Sequence, residues 1–213
     1  MSGTHASAAG FGLLGLALAV LAPSVGTAAE QTRVLAALGD SLTAGFGVAP
    51  DEAWPARLER RLRQEGYRYR VVNAGVSGDT SAGGLRRVDW VLRTRPEVVI
   101  VALGANDGLR GQSLSALRAN LGEIVTRLRA AGPRVLLAGM RLPPNYGADY
   151  TREFNETFAG VARRTGVAYM PFLLDGVAAD PHLNQADGIH PNAAGHRVVA
   201  ERIWPFVVPL LRR

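Results

Sequence analysis

The sequence predicts an α/β fold: a parallel sheet with helices on both faces, forming one domain behind an N-terminal leader. Three observations carry this. Short apolar runs alternate with helical patterns from residue 30 to the end, without internal repeats, and such alternation builds a layered domain around a parallel sheet. The run VVIVAL at 98–103 has no polar alternation, as expected of a strand covered on both faces. Gly-rich polar segments follow the first three runs.

Composition bounds the function. At 213 residues, 47% hydrophobic and 20% charged, the chain suits a globular core and excludes a disordered tail or a collagen-like polymer. The absence of cysteine excludes disulfides, Cys-ligated zinc, iron–sulfur clusters and thiol catalysis. All 24 basic residues are arginine and the net charge is +6. They are interleaved with acids, as in Arg57-Leu58-Glu59-Arg60-Arg61, which describes a solvated surface and not a nucleic-acid interface.

Taken in order, residues 1–29 carry no Asp, Glu, Lys or Arg, and 11–22 are apolar throughout. That run falls short of the ~20 residues of a membrane span. Small residues, Gly26-Thr27-Ala28-Ala29, precede Glu30, so 1–29 reads as a cleaved secretory signal and 30–213 as the domain of a periplasmic or secreted protein. Its one irregularity is an n-region whose only basic groups are the amino terminus and His5.

Strands are expected at 33–38, 70–73, 98–103, 134–138 and 168–171. Trp54, Leu58 and Leu62 recur at i, i+4, i+8, a helix that tolerates Pro55 only in its first turn. Leu114, Leu117, Leu121, Ile124, Val125 and Leu128 form one apolar stripe opposite Arg118, Glu123, Arg127 and Arg129. Gly132-Pro133 ends that helix. A last helix is expected from about 192 to 204, stopping at Pro205.

Ligands of open parallel sheets bind outside the carboxyl ends of the strands. The segments 39–42, 73–80 and 104–108 all fall on that edge and so converge on one site. Ser41 follows the first strand; a serine needs a neighbouring base to become a nucleophile. His190, in the turn Asp187-Gly188-Ile189-His190, can supply it, with Asp187 three residues upstream to fix the tautomer. Backbone N–H groups of Ser41 and Gly78 and the amide of Asn106 are candidate oxyanion donors.

The motifs GDSL at 39–42, Gly78, GAND at 104–107 and DGIH at 187–190 resemble the four blocks of the SGNH/GDSL hydrolases. AWPARL (53–58), VVNAGVSGDTSAGGL (71–85), NDGLRG (106–111) and RLPPNYG (141–147) look like the thioesterase I/arylesterase/lysophospholipase branch. The likeness spans nearly all of 33–205. It implies a three-layer, flavodoxin-like sheet of order 2-1-3-4-5. It implies Ser41 as nucleophile with Asp187 and His190, an oxyanion hole of Ser41, Gly78 and Asn106, and neither cofactor nor metal. It also implies a mobile segment at 107–111 and an acyl-binding side at 141–147, making Leu109, Leu142, Pro143 and Tyr146 candidate substrate contacts. GAND stands where the family more often has GGND, which alters backbone freedom at Ala105.

The expected chemistry is hydrolysis of an acyl ester or thioester through an acyl-enzyme, with activity rising through roughly pH 6–7, where an ordinary histidine becomes neutral. Two alternatives are an O-acetyl esterase of carbohydrate or envelope esters and, in another class, a non-catalytic envelope binding protein. Leu109 and the Leu142-Pro143-Pro144 turn favour acyl chains. The partner is then a small-molecule ester, with transient lipid contact, no nucleic acid and a monomeric chain. Ser77 is the rival nucleophile. Asp40 is expected to support the turn without taking part in chemistry, His196 to pack or face solvent, and His182 to lie on a loop near the cleft. No HExxH, GxGxxG, P-loop or GxSxG pattern occurs.

Overall fold

The computed structural model describes residues 1–5 and 32–213. Five strands, β1 (Arg33–Gly39), β2 (Tyr69–Gly75), β3 (Val98–Ala102), β4 (Arg134–Ala138) and β5 (Ala168–Met170), pair in parallel in the order β2-β1-β3-β4-β5. The central strands are buried on both faces: every residue of β3, and β1 from Val34 onwards. This is why VVIVA shows no alternation. At the edge, β2 is far less covered: only Tyr69 and Ala74 are buried, and Arg70 and Asn73 are exposed. The register places Gly39 opposite both Gly75 and Ala102, so three strands end level and deliver their following segments to one place.

Among the described residues, eight α-helices connect and cover the sheet: α1 (Ser41–Ala44), α2 (Trp54–Gln64), α3 (Ser81–Arg86), α4 (Val88–Arg93), α5 (Ala105–Leu109), α6 (Leu114–Ala130), α7 (Ala148–Thr165) and α8 (Ala193–Val207). The two groups that pack together, α2 with α8 and α6 with α3, α4 and α7, form the outer layers. The six-residue stripe of α6 is buried throughout, and each such side chain contributes about 1.5–3 kcal/mol by leaving water. Ser113 caps that helix, its hydroxyl accepting from Ala116 N–H at 3.3 Å.

The structure departs from expectation at the last helix. The last helix does not stop at Pro205 but continues to Val207. Pro205 and Glu201, four residues before it, are both exposed, so water can take the carbonyl that the proline leaves unpaired. Burial of Ile203 and Val207 carries the helix across. The 18-residue α7 lacks a simple apolar stripe: its buried face, Phe154, Thr157, Phe158, Val161 and Ala162, has helical spacing but includes a threonine. Thr157 is tolerated because its hydroxyl donates to Glu153 C=O at 2.9 Å. Within the segment 107–111, Asp107 to Leu109 is helical, with Asp107 and Gly108 buried.

The expected signal, 1–29, lies outside the described residues except for 1–5. Residues 32–213 lie in one compact unit. Among the described residues, no helix is long and apolar enough to cross a membrane.

Candidate active site

Ser41 opens α1 directly after β1. Asp40 caps this short helix: its Oδ1 accepts from Leu42 N–H at 3.0 Å, and its carbonyl accepts from Thr43 and Ala44. Two glycines let the turn sit tightly on the strand ends. A Cβ on Gly39 would stand 2.0 Å from Thr43 Oγ1, and one on Gly75 would stand 2.2 Å from Ala44 N. Side chains at either position would push α1, and Ser41 with it, off the sheet.

The segment before α8 brings His190. His190 Nε2 lies 2.9 Å from Ser41 Oγ, and His190 Nδ1 lies 2.7 Å from Asp187 Oδ2. With Nδ1 protonated towards the carboxylate, Nε2 is the acceptor that faces the serine hydroxyl. Asp187 Oδ1 also accepts the backbone N–H groups of Ile189 and His190, both at 3.0 Å. The His190 N–H is the main cause that holds the Asp187 carboxyl down at about 2, against the opposing effect of burial. Gln185 ties this turn to α1: Nε2 donates to Phe46 C=O at 2.7 Å and to Pro191 C=O at 2.9 Å. The Phe46 ring leans on the His190 imidazole, centroids 4.8 Å apart.

On the other side of Ser41 lies a buried polar network. Asn106 Nδ2 donates to Asp79 C=O at 2.9 Å and approaches Asp40 Oδ2 at 3.4 Å. Arg87 grips the Asp79 carboxylate through Nε (2.9 Å) and Nη2 (2.5 Å), and bonds Ala74 C=O and Gly39 C=O at 2.7 and 3.1 Å. One guanidinium thus ties the ends of β1 and β2 to the loop that orients Asn106. Asp107 takes Ser81 N–H and Oγ–H at 2.8 and 2.5 Å. Asp40 is fully buried, and burial pushes its carboxyl up to about 7, with the nearby charges of Asp79 and Asp107 adding to the rise and the Leu42 N–H opposing it. The backbone N–H groups of Ser41 and Gly78 have no protein acceptor among the described residues. Gly78 adopts a left-handed φ of +78°, and its carbonyl accepts from Arg110 Nη2 at 3.0 Å.

Ser41, Asn106 and His190 open onto a cavity of about 390 Å³ with mainly apolar walls, including Leu109, Leu142, Phe172 and Leu174. A neutral imidazole can take the serine proton there while the carboxylate stabilises the imidazolium.

The sequence pattern of the GDSL-like lipase/acylhydrolase family matches residues 37–198. The chain belongs to this family. The esterase TesA of Pseudomonas aeruginosa is 45% identical over 185 residues, 86% of this chain and 91% of that protein. The thioesterase 1/protease 1/lysophospholipase L1 of Escherichia coli K12 is 38% identical over 184 residues, covering 86% and 87%. A crystal structure of TesA superimposes with a TM-score of 0.82 at 45% identity, over 84% of this chain and all of that one. The expected fold, strand order and family are therefore those observed, and the chain is a GDSL-type hydrolase acting on esters.

In this GDSL hydrolase the expected side chains fall in different places. Leu109, Leu142 and Pro143 line the cavity. Tyr146 stands next to this wall, its hydroxyl donating to Leu109 C=O at 3.2 Å. Gly78 is exposed and outside the lining. His196 is buried, its Nδ1 accepting from Trp54 N–H at 3.3 Å. Burial chiefly, then the charges of Arg57 and His190, lower it to about 4, so it is a neutral packing group. His182 is exposed. Among the described residues, no cluster of His, Asp or Glu could hold a metal. Sequence reasoning missed Phe46, Gln185 and Arg87, whose partners are distant in the chain. It also missed Phe172 and Leu174, which follow β5 and lie on the same carboxyl edge as the other three loops.

Proposed function

We propose that this GDSL hydrolase cleaves carboxylic esters and thioesters of acyl chains through an acyl-enzyme on Ser41. The observation that carries the reading is the relay Asp187–His190–Ser41, at 2.7 and 2.9 Å, opening onto an apolar-walled cavity. His190 Nε2 accepts the Ser41 proton as Oγ attacks the carbonyl carbon. The tetrahedral oxyanion takes N–H bonds from Ser41, Gly78 and Asn106. His190 then gives the proton to the leaving oxygen or sulfur, and the acyl group stays on Oγ. Water, deprotonated by His190, attacks the acyl-enzyme; collapse returns the proton to Oγ and releases the acid. The names of the Pseudomonas and Escherichia relatives, an esterase and a thioesterase/lysophospholipase, support the substrate class. A cavity of 390 Å³ is far roomier than an acetyl group requires, which favours longer acyl chains over an O-acetyl esterase. The uncharged leader 1–29 supports export to the periplasm or medium.

A fluorophosphonate probe tests the reading. The adduct is expected on Ser41 by mass spectrometry and absent from Ser41→Ala. A well-folded wild type that takes no adduct, or takes it on Ser77, overturns the proposal. Asn106→Ala should fold and lose about 10²–10³ in kcat, the cost of one oxyanion donor; a wild-type rate removes Asn106 from the hole.

A further inference from the structure

We propose that Asp40 is a positioning residue for catalysis: one buried carboxyl holds both the turn bearing Ser41 and the amide of Asn106. This rests on the reading of Ser41 as nucleophile and Asn106 as oxyanion donor. Capping a helix takes one acceptor oxygen, and Ser, Thr or Asn serve as well as Asp. Asp40 Oδ1 does that work on Leu42 N–H at 3.0 Å. Its second oxygen has a different partner, Asn106 Nδ2 at 3.4 Å.

The length of that contact suits the task. The terminal torsion of an asparagine is broad, and one bond, to Asp79 C=O at 2.9 Å, leaves the amide free to swing about it. Asp40 Oδ2 supplies a second point and so fixes the amide plane. At 3.4 Å the hold is weak, so a developing oxyanion, a full charge at close range, captures the N–H without a large cost. Asp79 is itself held by Arg87, so the frame around the amide is rigid on one side and yielding on the other. Through Oδ1 the same carboxyl fixes the turn whose Ser41 N–H is left unpaired. Asp40 thereby sets the distance between two donors that come from different strands.

Asparagine at position 40 separates this role from capping. It can cap the turn, but whichever way its amide is turned, one side presents N–H groups to another donor, either Leu42 N–H or Asn106 Nδ2. Asp40→Asn is expected to lower kcat on a soluble ester by about 10² while KM stays within about threefold. In an Asn106→Ala background the same change should cost no more than about threefold, because the amide it acts through is gone. Asp40→Ser, which caps but lacks the second oxygen, should show the same coupling and serves if Asp40→Asn melts early. An equal loss in both backgrounds makes Asp40 structural and overturns the proposal, as does a wild-type kcat in Asp40→Asn. Failure of the underlying reading looks different: there the wild type itself takes no fluorophosphonate, or Asn106→Ala alone costs nothing.

Discussion

Two aspartates stand on either side of the Ser41–His190 pair, and their surroundings are opposite. Asp187, with 39% of its side chain exposed, collects two backbone N–H groups and an imidazole, and its carboxyl is held at about 2. Asp40 is buried, receives one backbone N–H and one distant amide, and is pushed up to about 7. Donors lower a carboxyl and loss of water raises it; here donors win in the exposed turn and burial wins beneath Ser41. The carboxylate bonded to the His190 imidazole is therefore the one nearer solvent. The buried one, at about 7, is only partly ionised at neutral pH close to where an oxyanion would form.

The largest expected effect tests the exposed side. Asp187→Asn removes the charge and favours the wrong imidazole tautomer, and should lower kcat by about 10⁴. Steady-state kinetics on a soluble ester measure it. A loss below tenfold would mean that Phe46 and Gln185 alone orient His190. Because the Asp187 carboxyl remains ionised to about pH 2, any activity that the wild type loses on acidification above pH 3 belongs to another group.

The next effect tests the buried side, in stability. The folded-state value of Asp40, about 7, lies above its unfolded value of 3.8, so the folded protein binds that proton more tightly. The stability this gives is complete below about pH 4 and is lost as pH rises to about 7, by up to about 4 kcal/mol. Asp40→Asn has no such proton. Its melting temperature relative to wild type should therefore climb between pH 4 and pH 7.5 in parallel thermal melts. A constant difference across that range would show that Asp40 is ionised throughout and that burial does not decide its charge.

The contrast between the two sides also marks what the sequence makes legible. Asp187 and His190 are three residues apart, and the loops carrying Ser41 and Asn106 directly follow buried strands, so motif spacing and strand topology bring them together. The β3 run and the α6 stripe are equally local signals. The buried network is not local: Arg87 reaches Gly39, Ala74 and Asp79, and only the sheet order makes these neighbours. Asp40 reads as a capping residue because capping is a two-residue event, whereas its contact to Asn106 spans two strands. The setting of Tyr146 is hidden in the sequence for a related reason. Whether a tyrosine faces a cavity or stands behind its wall depends on which backbone carbonyl its hydroxyl finds, here that of Leu109.

The smallest expected effect is the stability cost of the substitution with the largest kinetic effect. Asp187 lies in an exposed turn, and an asparagine there can still accept the Ile189 and His190 N–H groups through its carbonyl oxygen, as asparagine does in Asx-turns. What it loses is an ion pair open to water, and such pairs contribute little to folding. Asp187→Asn should therefore unfold within about 0.5 kcal/mol of wild type in urea at pH 7. A penalty of several kcal/mol would mean that the turn before α8 is clamped by this carboxylate. The exposed aspartate would then be as structural as the buried one, and the division of labour between the two sides of Ser41 would fail.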